Sequence, residues 1–92
     1  MVIFTASDRC YADVILDIID PKHDIFSLRM YRTHCILTEH GYIKDISIIK
    51  NRSLDEMVIV DNNIFNCALQ LDNAIPINPF YCNYEDKELL YL

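Results

Sequence analysis

The sequence predicts an α/β protein, a parallel sheet flanked by helices. Three observations lead there. Apolar strand-like runs alternate with amphipathic or polar segments. Two of those runs, Met1 to Phe4 and Met57 to Val60, each stop abruptly at polar residues, Thr5-Ala6-Ser7 and Asp61-Asn62-Asn63. The first is followed at once by a stretch with helical spacing, the opening half of a βαβ unit.

In order along the chain, Met1-Val2-Ile3-Phe4 reads as a buried strand ending in a polar turn. Ser7 or Asp8 can then cap a helix whose apolar positions Tyr11, Val14, Ile15, Ile18 and Ile19 recur at three and four residues. Asp20-Pro21 stops that helix, since the residue before a proline is pushed out of the α region. The segments Leu28 to Tyr31 and Cys35 to Leu37, leading through Glu39-His40-Gly41 into Tyr42-Ile43, read as a hairpin-like excursion turning at the sole glycine. Ile46, Ile48 and Ile49 fit a short helix or a strand equally, and Lys50-Asn51-Arg52-Ser53 is a polar loop. Met57 to Val60 is the second buried strand. Ala74-Ile75-Pro76-Ile77 is a third strand candidate, at a sheet edge because Pro76 lacks an N–H. Glu85 to Leu92 reads as a terminal helix.

Composition narrows the function classes. Ninety-two residues allow one small domain, and half of them are apolar, enough to build a core rather than remain disordered. The net charge of −6 opposes binding to nucleic acid, which rests on Lys and Arg neutralising phosphates. Cys10, Cys35, Cys67 and Cys82 lack a CxxC pair and zinc spacing, and no secretory leader precedes them, so free thiols are expected rather than a disulfide framework. No apolar run reaches the roughly 20 residues of a membrane span. His34 and His40, with Cys35 between, make an incomplete metal set and read as surface histidines. Tyr31, Tyr42, Phe65, Phe80 and Tyr81 read as core and rim packing.

In a parallel α/β sheet ligands bind at the carboxyl ends of the strands, which singles out Thr5, Asp61 and Asn62. With Lys44 they make chemical sense as a group. Phosphoryl transfer needs donors around the phosphate oxygens, a fixed positive charge and a carboxylate for magnesium. Singly, each has a plainer reading: Thr5 as a turn residue, Lys44-Asp45 as a solvated pair, and Asp61-Asn62-Asn63 as a turn.

Val2-Ile3-Phe4-Thr5-Ala6-Ser7, Tyr42-Ile43-Lys44-Asp45 and Val58-Ile59-Val60-Asp61-Asn62 resemble the small C-terminal-domain phosphatases, the nuclear-LIM-interactor-interacting-factor-like family of the haloacid dehalogenase superfamily. Tyr11-Ala12-Asp13, Leu16 to Pro21, Tyr31-Arg32 with Cys35, Asn73 to Ile77 and Asp86 to Leu90 extend the resemblance over essentially the whole chain.

The resemblance implies the C-terminal half, residues 1–92, of a phosphatase catalytic domain: a partial haloacid-dehalogenase-type, Rossmann-like core with the first strand and nucleophile motif missing. By it, Thr5 binds phosphate through its hydroxyl, and Lys44 is catalytic, neutralising phosphate charge and steadying the attacking carboxylate. Asp61 and Asn62 hold Mg2+. The substrate it implies is a phosphoserine-containing protein, and the setting intracellular, the nucleus included. In that family the first aspartate of an Asp-x-Asp-x-Thr motif forms a phosphoaspartate and the second acts as acid and base. Neither is found in this chain; Asp17 to Asp20 is an Asp-x-x-Asp pattern in a predicted helix and loop.

Asn63-Ile64 stands where the family has Ser-Pro, the loop from Lys44 to Asp61 is one residue longer and lacks a glycine, and Pro79-Phe80-Tyr81 replaces a segment that carries Trp. Two functions follow as expectations. One is a fragment of a magnesium-dependent protein serine phosphatase, inactive alone, whose upstream coding sequence carries the missing motif. The alternative is a catalytically dead relative serving as a protein-binding module, such as a translocase-receptor-like subunit. Either way, an incomplete sheet invites association.

Overall fold

The computed structural model describes residues 1–81 and 84–91; Cys82 and the last residue of the predicted terminal helix, Leu92, lie outside them. The chain is mixed α/β and divides into two compact units, Met1–Lys44 and Asp45–Leu92. Where a single helix-flanked parallel sheet is predicted, the described residues form three two-stranded sheets, two of them parallel, and one α-helix.

In the first unit β1 (Val2–Phe4) leads into α1 (Arg9–Ile19), which returns the chain to β2 (Leu28–Met30), parallel to β1 with Ile3 opposite Arg29. Leu28 to Met30 therefore belongs to the βαβ unit and not to the hairpin. Only β3 (Ile36–Thr38) and β4 (Gly41–Ile43) form the antiparallel hairpin. Gly41 sits at φ 126°, a conformation that a Cβ would disfavour, and Thr38 opposite it donates its hydroxyl to the Gly41 carbonyl at 2.7 Å.

The helix starts where the sequence places it, but Asp8 stands at the N-cap without a side-chain capping bond, its carboxylate lying instead 3.3 Å from Arg32. The predicted apolar stripe is a second correction. Ala12 and Leu16 are buried against Ile3, Phe26 and Tyr31, while Tyr11, Val14, Ile15, Ile18 and Ile19 are exposed, Ile18 at 78%. The helix carries two apolar stripes, and this unit covers the narrower one.

Asp20, read from the sequence only as a stop, organises the crossover. Buried to 2% exposure, it accepts the N–H groups of Asp24, Ile25 and Phe26 at 2.9, 3.1 and 3.0 Å. Burial pushes its carboxyl up, and the three N–H donors with Arg29 outweigh that, leaving it below the usual carboxylate value.

In the second unit β5 (Ile59–Asp61) and β6 (Ala74–Pro76) pair in parallel, Asp61 opposite Pro76. The isoleucines that fit helix or strand form a 3-10 helix, Ile46–Ile48, whose Asp45 cap accepts from Ser47 N–H at 3.0 Å. The remaining connections, Leu54–Glu56, Ile64–Cys67, Leu71–Asn73 and Glu88–Tyr91, are also 3-10 rather than α. Runs of three or four residues between turn formers give too few i→i−4 bonds to repay α nucleation. Gln70 ties the unit together, accepting from Ile46 N–H at 3.2 Å and donating to Asp45 at 2.7 Å. Among the described residues, Ile46, Ile59 and Cys67 are its buried apolar residues. Phe80 and Tyr81, expected to pack, are exposed at 61% and 82%. Cys10, Cys35 and Cys67 are free thiols, and among the described residues no helix is long and apolar enough to cross a membrane.

Candidate functional site

The four residues singled out from the sequence divide two and two between the units. In the first, β1 delivers Thr5 at its carboxyl end. Thr5 N–H donates to the Met30 carbonyl at 2.9 Å, carrying the ladder one residue past the strand, and its hydroxyl oxygen accepts from Ser7 N–H at 3.1 Å. That bond closes a tight turn and holds the threonine side chain at the strand end.

Lys44 follows β4 and is buried, with 9% exposure, so the solvated-pair reading with Asp45 does not hold. Cys35 links it to Thr5. The Cys35 thiol lies 3.8 Å from the carbonyl oxygens of Thr5 and Tyr31. Burial pushes the thiol up, while the charges of Lys44 and Arg32 pull the other way. The backbone of Thr5 thus lies beside Cys35, whose thiol also feels the charge of Lys44.

Arg32 completes that locality, and the sequence reading assigned it no role. Its Nε donates to the Ala6 carbonyl at 2.7 Å, its backbone N–H to the Ser7 carbonyl at 3.1 Å, and its guanidinium stands 5.2 Å from the centre of the Tyr42 ring. The turn after Thr5 is therefore clamped by a fixed cation. Its signal lay in the Tyr31-Arg32…Cys35 pattern, which marks positions without saying which loop they hold.

A second network stiffens the helix against β2. Asp13 accepts from Tyr31 hydroxyl at 2.5 Å and from Arg29 at 3.2 Å, and Arg29 also reaches Asp17 at 2.9 Å. The Tyr31 hydroxyl bond holds the Asp13 carboxyl below its usual value against burial, and the same bond raises the tyrosine. Asp13 and Asp17, four residues apart on one helix face, were a legible invitation to a cation.

In the second unit Asp61 ends β5, buried to 8% exposure. Its Oδ1 accepts from Asn63 N–H at 2.9 Å and its Oδ2 lies 3.5 Å from Asn66 Nδ2. Asn62 beside it is exposed. Asn63 accepts from Phe65 N–H at 3.1 Å and caps Ile64–Cys67, so asparagine at this position has a structural occupation of its own. Asp61 and Asn62 both offer side-chain oxygen, the donor type that Mg2+ prefers. Among the described residues no three His, Cys, Asp or Glu side chains gather in a metal-holding group, so the pair would supply two oxygen ligands of a Mg2+ site.

The whole chain, residues 1–92, matches the family described as NLI interacting factor-like phosphatase. It is 41% identical over its full length to CTD small phosphatase-like protein 2 of Dictyostelium discoideum, covering 16% of that protein. It is 39% identical to CTD small phosphatase-like protein 3 of Caenorhabditis elegans, of which it covers 32%, and 38% identical to CTD nuclear envelope phosphatase 1B of Danio rerio, of which it covers 37%. In each case all 92 residues of the chain are aligned, so the chain spans well under half of the relatives it matches. A match over every residue, with Thr5 and Asp61 at the carboxyl ends of parallel strands, carries the conclusion: the chain belongs to the NLI interacting factor-like phosphatase family.

Proposed function

We propose that residues 1–92 are the C-terminal half of the catalytic domain of a magnesium-dependent protein serine phosphatase of haloacid dehalogenase type, holding its phosphate and metal but not its nucleophile. The observation that carries this is the position of Thr5 and Asp61, each delivered by the carboxyl end of a strand in a parallel pair, the end where open α/β sheets bind ligands.

The Thr5 hydroxyl orients the phosphate, and Lys44, with Arg32 beside the same turn, offsets its charge in a partly buried setting where an ion–ion attraction exceeds its value in water. Asp61 and Asn62 would hold Mg2+, which when bound would withdraw charge from the phosphate oxygens. The attack requires a carboxylate from an Asp-x-Asp-x-Thr segment outside these residues, which takes the phosphoryl group as the serine O–P bond breaks and a proton goes to the serine oxygen. Water then hydrolyses the phosphoaspartate to phosphate and free carboxylate. Phosphoserine protein is the substrate class, and relatives named nuclear envelope phosphatases support an intracellular, nuclear-associated setting.

The test is a phosphatase assay on the full coding sequence, upstream segment included, with a phosphoserine peptide and magnesium. Turnover that is lost on removal of magnesium and abolished in Asp61→Ala supports the proposal. A full-length product without Asp-x-Asp-x-Thr and without turnover sinks it, and leaves the binding-module reading, such as a translocase-receptor-like subunit.

A further inference from the structure

The first unit carries an open cavity of about 440 Å³ that the phosphatase reading does not use. Its wall includes Arg9, His23, Arg29, Thr33 and His34, with Phe26 as an apolar flank. Two arginines and two histidines thus share one wall, with Asp17, 3.5 Å from His23 and 2.9 Å from Arg29, offsetting part of that charge from its edge.

The acid in the wall, Asp13, is committed to the Tyr31 hydroxyl, Arg29 and Arg9. Arg9 is 77% exposed along its side chain and stands 5.7 Å from the centre of the Tyr31 ring, so its guanidinium is held yet reachable. Arg29 is the opposite case. Its side chain is 8% exposed and bonded to Asp13, Asp17 and the Asp20 carbonyl, while its buried Nε has no hydrogen-bond acceptor among the described residues. Its charge is answered by the two carboxylates, so the donors an anion could reach are those of Arg9, Thr33 and His34. His34 accepts from Tyr31 N–H through Nδ1 at 3.0 Å, which in the neutral ring leaves the proton on Nε2 as a further donor.

We propose that this cavity is an accessory subsite for an anionic side chain of the protein substrate, a second phosphoserine or an acidic residue, lying along the polypeptide from the serine held at Thr5. Naming the occupant as substrate rests on the phosphatase reading; the anion chemistry does not. The two places are mechanically joined, because the 3-10 helix Arg32–His34 grips the turn after Thr5 through Arg32 and lines the cavity with Thr33 and His34.

The experiment measures binding of labelled phosphoserine peptides to the 92-residue chain by fluorescence anisotropy. A second position, moved stepwise to either side of the phosphoserine, carries phosphoserine, Glu or Ala. At one spacing phosphoserine should bind about tenfold tighter than Ala, with Glu between, as expected for a charge-assisted contact. Arg9→Ser and His34→Gln should each erase that gain without weakening the Ala peptide. Lys44→Met should weaken all three peptides and preserve the gain. If Lys44→Met changes nothing while Arg9→Ser still erases the gain, the phosphatase assignment fails and the subsite stands. No spacing with a gain, or a gain that survives both Arg9→Ser and His34→Gln, overturns the subsite. A cavity that binds inorganic phosphate in an Arg9-dependent way but gives no peptide gain likewise overturns it as a substrate subsite.

Discussion

At the scale of single residues, carboxylates do more structural work than their charge pattern suggests. Asp20 satisfies three backbone N–H groups that would otherwise be unpaired in a part-buried crossover. Asp20→Ala is therefore expected to lower the unfolding temperature much more than Asp24→Ala, whose carboxylate is given no such task; equal effects in paired thermal melts would refute the role. Asp13, Asp20 and Asp45 all titrate below the ordinary carboxylate value in the folded chain, through the Tyr31 hydroxyl, backbone N–H donors that outweigh burial, and Ser47 respectively. The folded state holds their protons more weakly than the unfolded chain does. The stability they contribute is thus complete above an unfolded value of about 3.9 and lost as the pH falls through their lower folded values. Urea midpoints measured from pH 6 down to pH 2 should fall below about pH 4, and Asp20→Asn should flatten that fall. These roles are hard to see in a sequence because an Asp before a Pro reads first as a helix stop; which N–H groups it caps depends on how the following loop folds back.

At the scale of elements, α1 is the informative case. Its helical period was legible, and its bounds follow from Asp8 and Asp20-Pro21. Which stripe it buries was not, because periodicity counts apolar positions and the wider stripe, Tyr11, Val14, Ile15 and Ile18, is the exposed one. Leu16→Ala should destabilise the chain by about 2 kcal/mol, the low end for a leucine because the surrounding cluster is small. Ile18→Glu should change stability by no more than about 0.5 kcal/mol while reducing self-association. Urea unfolding and sedimentation velocity on both variants check this, and a large destabilisation by Ile18→Glu would show the outer stripe to be packed. The short 3-10 connections of the second unit teach a related lesson. Ile46, Ile48 and Ile49 fit two periodicities because three residues cannot establish either, and Asp45, accepting from Ser47, decides the outcome by capping.

For the whole molecule, the 92-residue chain alone should show no turnover of a phosphoserine peptide with magnesium above a Lys44→Met control, since charge stabilisation without a nucleophile cannot form a covalent intermediate. Measurable, Asp61-dependent hydrolysis by the purified chain would contradict this. Family membership, the α/β class, the two strand ends that present Thr5 and Asp61, and the absence of an Asp-x-Asp-x-Thr motif from these residues were all determined by the sequence itself. Strand-then-polar punctuation and motif order survive as one-dimensional patterns. Only the tertiary structure decided that Leu28 to Met30 joins β1 rather than the hairpin, that Arg32 clamps the Thr5 turn, and that Lys44 is buried near Cys35. Each of these depends on residues more than eight positions apart meeting in space, and a local pattern of hydropathy and turn formers carries no record of which distant partner a side chain will find.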